Sequence, residues 1–199
     1  MPSDSISQSL PLAGIESLRP LLLGTRHMAV AGHYGAAHAA FTMLESGGNA
    51  VDAGVAAGIA LGVLQSDLVN VAGVAPIMIY RADKRDIVTV SGLGTWPHAV
   101  TPDLFQKRHG GKIPEGILRT VVPAAPDAWI TALENYGTMS FGDCAAAAIR
   151  FASAGFPMYG LMSDMIAMHA ADYARWPSSA AIYLPNRRPP RRVSPVWPR

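Results

Sequence analysis

With a single cysteine in 199 residues, the chain can form no internal disulfide. Cys144 falls inside an apparent helix after Ser140, where a small buried hydrophobe fits better than a nucleophile. Charge is scarce too, at 15% against 50% hydrophobic residues, which excludes a disordered chain. No apolar run reaches the ~20 residues that a bilayer requires. The N-terminal segment has no cationic start followed by an apolar stretch and a small-residue cleavage site, so the expected location is the cytoplasm. No Gly-x-Ser-x-Gly elbow is present. Gly92-Leu93-Gly94-Thr95-Trp96-Pro97 begins like a phosphate loop but lacks the third glycine and has proline where a helix would continue. The histidines at 27, 33, 38, 98, 109 and 169 have no paired metal spacing with carboxylates. Met162, Met165, Met168 and His169 read as the inner stripe of a helix rather than a copper or haem site. Neither a metal nor a cofactor is expected.

The net charge of +2 is unevenly placed. Arg187, Arg188, Arg191, Arg192 and Arg199 lie in the last thirteen residues, which hold no acid; without them eleven basic residues face fourteen acidic ones. The body is therefore mildly acidic. Pro189, Pro190, Pro195 and Pro198 keep the tail out of helix and central strand. Arginines dispersed among prolines, without an aromatic stacking platform, make a poor nucleic-acid or membrane arm, and neither partner is expected.

The densest punctuation is Leu44-Glu45-Ser46-Gly47-Gly48-Asn49-Ala50-Val51-Asp52-Ala53. Gly47 can take the left-handed conformation that closes a helix, Asn49 can cap the next, and Asp52 adds negative charge to its first turn. Two helices therefore meet at a corner. The first, Tyr34 to Ser46, shows Ala37, Ala40, Phe41 and Leu44 at helical spacing, and the second, Ala50 to Leu64, is apolar nearly all round and must be buried. Ala50, Gly54, Gly58 and Gly62 recur every four residues along it. Each interior glycine costs roughly 1 kcal/mol against alanine, so this strip, Gly58 included, is expected to be a close-packing face.

Elsewhere the pattern predicts a short helix near Ile15–Leu23, a strand over His27–Ala31, and a hairpin of Ile77–Tyr80 with Ile87–Val90 around a polar turn. Loop is expected from Ser91 to Leu118. Helices follow from Pro126, after the capping-box-like Ser140-Phe141-Gly142-Asp143, and over Leu161–Tyr173.

Two ordered blocks carry a resemblance. Met28-Ala29-Val30-Ala31-Gly32-His33-Tyr34 with the 44–53 corner, then Arg119-Thr120-Val121-Val122-Pro123-Ala124-Ala125-Pro126-Asp127-Ala128-Trp129 with Tyr136-Gly137-Thr138-Met139 and Gly155-Phe156-Pro157, resemble the large subunit of γ-glutamyltransferase-type N-terminal-nucleophile hydrolases. The resemblance implies an α/β fold of layered αββα type, present here as an incomplete, helix-rich part with a short β-hairpin. It divides the chain into a lead-in over 1–25, a large-subunit-like region over 26–184 and an Arg/Pro-rich tail over 185–199. It also implies a precursor that cleaves itself, so that a Thr at the new N-terminus attacks a γ-glutamyl or similar amide with its own α-amine as base. No residue here matches the segment carrying that Thr. No catalytic residue is therefore assigned, and the expected partners are the rest of the large subunit and a Thr-led small subunit.

Departures from the glutathione-acting pattern bear on substrate. Where those members carry Asp-x-Arg-Glu-Thr-Ala-Pro, with the Arg clamping the substrate's α-carboxylate, this chain reads Ser91-Gly92-Leu93-Gly94-Thr95-Trp96-Pro97. Leu93 cannot make that charge-assisted pair. The branch resembled is that of oxamate amidohydrolase and acylase-like members. Gly94, Thr95 and Trp96 are the candidate substrate-binding residues, and Gly47, Gly48, Asn49, Asp52 and Gly58 the candidate structural ones. From Arg187 the resemblance fades, and a truncated or frameshifted reading frame is expected. Two functions remain open: part of an amide hydrolase or acyl transferase that is inactive alone, or a non-catalytic homologue that keeps the helical part for binding.

Overall fold

The computed structural model describes residues 21–190. The helix expected from Ile15 lies mostly outside them, as do the arginines at 191, 192 and 199, and Leu21–Leu23 take no regular structure. The chain runs α1 (Tyr34–Glu45), α2 (Ala50–Leu64), β1 (Ile77–Arg81), β2 (Asp86–Val90), α3 (Pro102–His109), α4 (Ala125–Tyr136), α5 (Phe141–Ala154), α6 (Gly160–Met168), α7 (Ala170–Tyr173) and α8 (Pro177–Tyr183). Among the described residues the fold is thus helix-rich with one antiparallel hairpin, as expected from the sequence.

Helix α2 is the centre, and its burial follows from its composition. Ala53, Ala56, Ala57 and Ala60 meet Ala36, Ala39 and Ala40 of α1 and Cys144, Ala145 and Ala148 of α5, so three helices pack through small side chains. On α1 the core face is Ala36, Ala39 and Ala40; of the expected stripe Ala40 is buried and Leu44 packs against the core, whereas Phe41 is exposed. The Gly47–Asn49 corner forms as the residues dictate: Gly47 has φ +92°, and the Asn49 side chain accepts from Val51 N at 2.8 Å and Asp52 N at 3.2 Å. Asp52 completes a capping box by accepting from Asn49 N at 2.7 Å.

Asp52 does more than flavour the first turn. It is fully buried, and its Oδ1 accepts from Thr138 N at 2.9 Å and Met139 N at 3.0 Å while Oδ2 accepts from Thr138 Oγ1 at 2.7 Å. Asn49 Nδ2 adds a bond to Tyr136 O at 2.7 Å. The start of α2 is therefore tied to the link between α4 and α5. At Gly137 the backbone lies so close that a Cβ would come 2.8 Å from Asp52 Oδ1. Burial pushes the Asp52 carboxyl upward, but the Thr138 hydroxyl and the Asn49, Met139 and Thr138 amides outweigh it and hold the pKa below the usual carboxylate range.

The glycine strip is only partly a packing face. A Cβ on Gly58 would sit 3.0 Å from Trp129 Nε1, and one on Gly62 3.1 Å from Val71 Cγ2, whereas one on Gly54 would meet nothing within 4 Å. Ile77 pairs with Val90 and Arg81 with Asp86 in the hairpin, so the outer rung is an Arg81–Asp86 ion pair rather than part of the turn. No strand forms over His27–Ala31, because among the described residues no strand lies beside it to complete a ladder. Its side chains still alternate, with Ala29 and Ala31 against the core and Val30 90% exposed.

The expected 91–118 loop contains α3, which has Pro102 in its first turn, Asp103 paired to Lys107 at 2.7 Å, and Gly110 in the left-handed region at its end. The expected Leu161–Tyr173 helix breaks at His169 into α6 and α7. The inner face of α6 is Met162, Ser163 and Ile166, while Met168 is exposed. No helix among the described residues is long and apolar enough to cross a membrane.

Two stability outcomes follow from these contacts. Gly58→Leu should destabilise by ~1–3 kcal/mol or more, because Trp129 occupies the space. Gly54→Ala should instead stabilise by about 0.5–1 kcal/mol, and the turn control Lys84→Ala should stay within about 0.5 kcal/mol. Denaturant midpoints of the three variants separate these outcomes; equal values for Gly58→Leu and Lys84→Ala refute the packing.

Asp52→Ala orphans the amides of Asn49, Thr138 and Met139, and should cost about 2–4 kcal/mol. A depressed folded pKa means that the carboxylate's contribution is intact above pH ~4 and is lost as pH falls through the folded value. Acid unfolding below pH ~4 should therefore be steeper in the wild type than in Asp52→Asn. Matching acid limbs in chemical denaturation would overturn this.

Candidate functional site

Two apolar grooves flank the hairpin and the loop that follows it. The larger, of about 570 Å³, lies between α2 and β1. One wall is the small-residue side of α2, Ala50, Val51, Gly54, Val55 and Gly58; the other is six consecutive residues, Ala75 to Tyr80, with Trp129 between them. Consecutive residues on a strand alternate in side-chain direction, so a wall that takes in Ile77 to Tyr80 of β1 without a gap is the strand's edge. That edge of β1 has no strand beside it among the described residues. Gly54, with open space over it, forms part of the facing wall.

The second groove, of about 440 Å³, is lined by Trp96, Pro97 and Val100 on one side and by Ile117, Leu118 and residues 120–123 on the other. Trp96 rests against Phe105 of α3, with ring centroids 5.2 Å apart. The glycines of the 92–97 loop serve backbone approach. Gly92 O accepts from Ala75 N at 2.9 Å, and Gly92 has φ +54°. Thr95 O accepts from Val122 N at 2.9 Å, and a Cβ on Gly94 would fall 1.8 Å from Val122 O. The loop is thus stitched to the strand-preceding segment on one side and to the α4 lead-in on the other. Leu93 is 60% exposed.

Of the candidate substrate-binding residues, Trp96 lines the second groove, while Gly94 and Thr95 meet the Val122 backbone and are not among its lining residues. Gly47, Gly48, Asn49 and Asp52 gather at the α1–α2 corner, and Gly58 stands on the wall of the first groove. The two grooves share no lining residue. Thr138, Asp67 and Tyr159 carry no local sequence signal of the contacts they make. Thr138 was visible only as part of a resembling block, and the Tyr159 hydroxyl to Asp67 Oδ1 bond, at 2.6 Å, spans 92 residues with no local signal. Burial raises the Tyr159 phenol, with help from Asp67. Burial, aided by Asp52 and Asp143, pushes the Cys144 thiol up to about 11. A thiol so placed is a poor nucleophile. Among the described residues no group of three or more His, Cys, Asp or Glu side chains is gathered to hold a metal ion.

Comparison with known proteins gives this geometry a family. The profile of the gamma-glutamyltranspeptidase family matches residues 36–197. The chain is 34% identical over 176 residues to the Acylase ACY 1 proenzyme of Pseudomonas sp. (strain V22), covering 83% of this chain and 31% of that protein. It is 26% identical over 184 residues to the glutathione hydrolase proenzyme of Bacillus subtilis (strain 168), covering 90% of this chain and 31% of that one. The crystal structure of Helicobacter pylori gamma-glutamyltranspeptidase superposes with a TM-score of 0.83 over 88% of this chain and 52% of that chain, at 23% identity, which speaks for the fold. The chain therefore spans about a third of the length of the curated relatives it matches. With a profile match over most of its length, this chain belongs to the gamma-glutamyltranspeptidase family.

Proposed function

We propose that this chain is the N-terminal, helix-rich part of the large subunit of an N-terminal-nucleophile amide hydrolase or acyl transferase, and that it is inactive alone. The observation that carries this reading is the first groove. A free strand edge facing an alanine–glycine wall is the geometry an additional strand can enter, with main-chain bonds to β1 and side chains against Gly54. The occupant is a strand from polypeptide corresponding to the rest of the longer relatives, and its entry builds the layered αββα arrangement around the 26–184 region.

In the completed protein, the hydroxyl of an N-terminal Thr on the small subunit attacks the amide carbonyl, and the α-amine takes its proton. The C–N bond then breaks, the amine leaves with a proton, and water or an acceptor amine releases the acyl group. This chain's part is to hold the substrate beside the Gly94-Thr95-Trp96 loop. Leu93 in place of an arginine cannot pair with an α-carboxylate, which favours an acyl group other than γ-glutamyl; the acylase name of one relative agrees with this. The setting is cytoplasmic, and no cofactor takes part.

Co-expression with a Thr-led downstream segment tests the reading. The purified chain alone should release no product from γ-glutamyl anilide or simple acyl anilides, and the co-expressed pair should turn over an acyl anilide faster than the γ-glutamyl one. Leu93→Arg in the pair should shift preference toward γ-glutamyl anilide. Turnover by the chain alone overturns its expected inactivity; a stable chain that never associates with the segment supports a stand-alone binding protein.

A further inference from the structure

His33 caps α1 in an unusual way. Its Nδ1 accepts the Gly35 amide at 3.0 Å, the position more often held by a Ser, Thr, Asp or Asn oxygen. An imidazole can do this only while Nδ1 is unprotonated, so the neutral ring carries its proton on Nε2. The residue is 5% exposed, and Nε2 has no hydrogen-bond partner. Three aromatic rings seat it: Tyr34 stacks at 4.3 Å, Tyr159 lies tilted at 5.7 Å and Phe156 stands edge-on at 6.4 Å.

We propose that His33 is an acid-sensitive latch: a second ring proton uncaps α1, drives the imidazolium from its aromatic seat and frees the first turn of α1 from the Phe156–Tyr159 segment. Protonated Nδ1 becomes a donor facing the Gly35 N–H donor, so the cap is lost outright. The new charge would also stand at the positive end of the α1 dipole. Two phenols, Tyr34 on its own helix and Tyr159 beside α6, face the ring. From the segment after α2, Asp67 reaches this cluster through Tyr159, which donates to its Oδ1; Gln65 Nε2 bonds Gly32 O at 3.3 Å. Asp67 favours a cation, its Oδ1 taking that phenol and its buried Oδ2 having no hydrogen-bond partner, but burial dominates and lowers the His33 pKa.

The sign is distinctive. The unfolded chain takes up the His33 proton near pH ~6.5 and the folded chain only lower, so the latch's contribution is complete above pH ~6.5 and fades below it. The unfolding constant should rise by up to about tenfold per pH unit in that window.

The test uses the full 199-residue chain. Urea unfolding and amide hydrogen exchange are measured from about pH 7.5 to about pH 5 for the wild type and for His33→Ser and His33→Asn, whose side chains cap without titrating. The expected result is a stability loss and faster exchange at residues 33–40 in the wild type, with a flat profile in either variant. NMR of the His33 ring in the wild type gives an independent reading should both variants fail to fold. Equal pH slopes in wild type and variant, or a His33 ring that titrates at or above the ordinary imidazole value, would overturn the latch.

Discussion

The carboxylate of Asp52 holds two regions of the fold in register. It satisfies one amide at the start of its own helix and two amides and a hydroxyl from the α4–α5 link, all without contact with water. A buried carboxylate is tolerable only with such a full set of donors. Because the set comes from both partners of the α2–α5 contact, at the starts of the two helices, they cannot slide without breaking several bonds together. The alanine interface between them gains from this: small side chains give close approach but little shape to fix register, and the polar hub supplies what the apolar contact lacks.

The hairpin and the 92–97 loop are arranged around that frame. Trp129 of α4 lies on Gly58 of α2, and Gly73 O accepts from both Ala124 N and Ala125 N at 3.1 Å, so the start of α4 is pinned to the segment leading into β1. The loop then closes against Ala75 and Val122. Arg81 extends over the Tyr136 ring at 6.0 Å, joining the hairpin end to the end of α4. The candidate substrate loop is thus braced by α4, and α4 by the Asp52 hub.

Local signals were legible and long-range ones were not. Asn49, Gly47 and Ser140 could be read as caps because capping is chemistry within three residues. Helix α3 carried Pro102, Asp103 and Gly110 in the right order, but the prolines and glycines around it concealed it. His33 precedes an apolar-periodic run, which is a cap position, yet histidine's scarcity in that role hid it. The strip of glycines announced close approach without saying where; only the positions of Trp129 and Val71 separate Gly58 and Gly62 from Gly54. The strand expected over His27–Ala31 had the right alternation, but a ladder is a property of two segments. For the site, Gly92 and Gly94 were conspicuous, and their actual use, approach to Ala75 O and Val122 O, depends on chain segments that periodicity cannot pair.

The span of the Asp52 hub also sets an order of events at the ribosome. Helices α1 and α2 are joined by a short corner and can pair as soon as both have emerged, whereas Thr138 and Met139 lie 86 and 87 residues beyond Asp52. At translation speeds of about 5–20 residues per second, that separation corresponds to roughly 4–17 s. Until then Asp52 lacks the Thr138 and Met139 donors that offset the cost of burying its carboxylate. Favourable desolvation of Asp52 thereby depends on the α4–α5 link, polypeptide that is made only after the largely apolar α2.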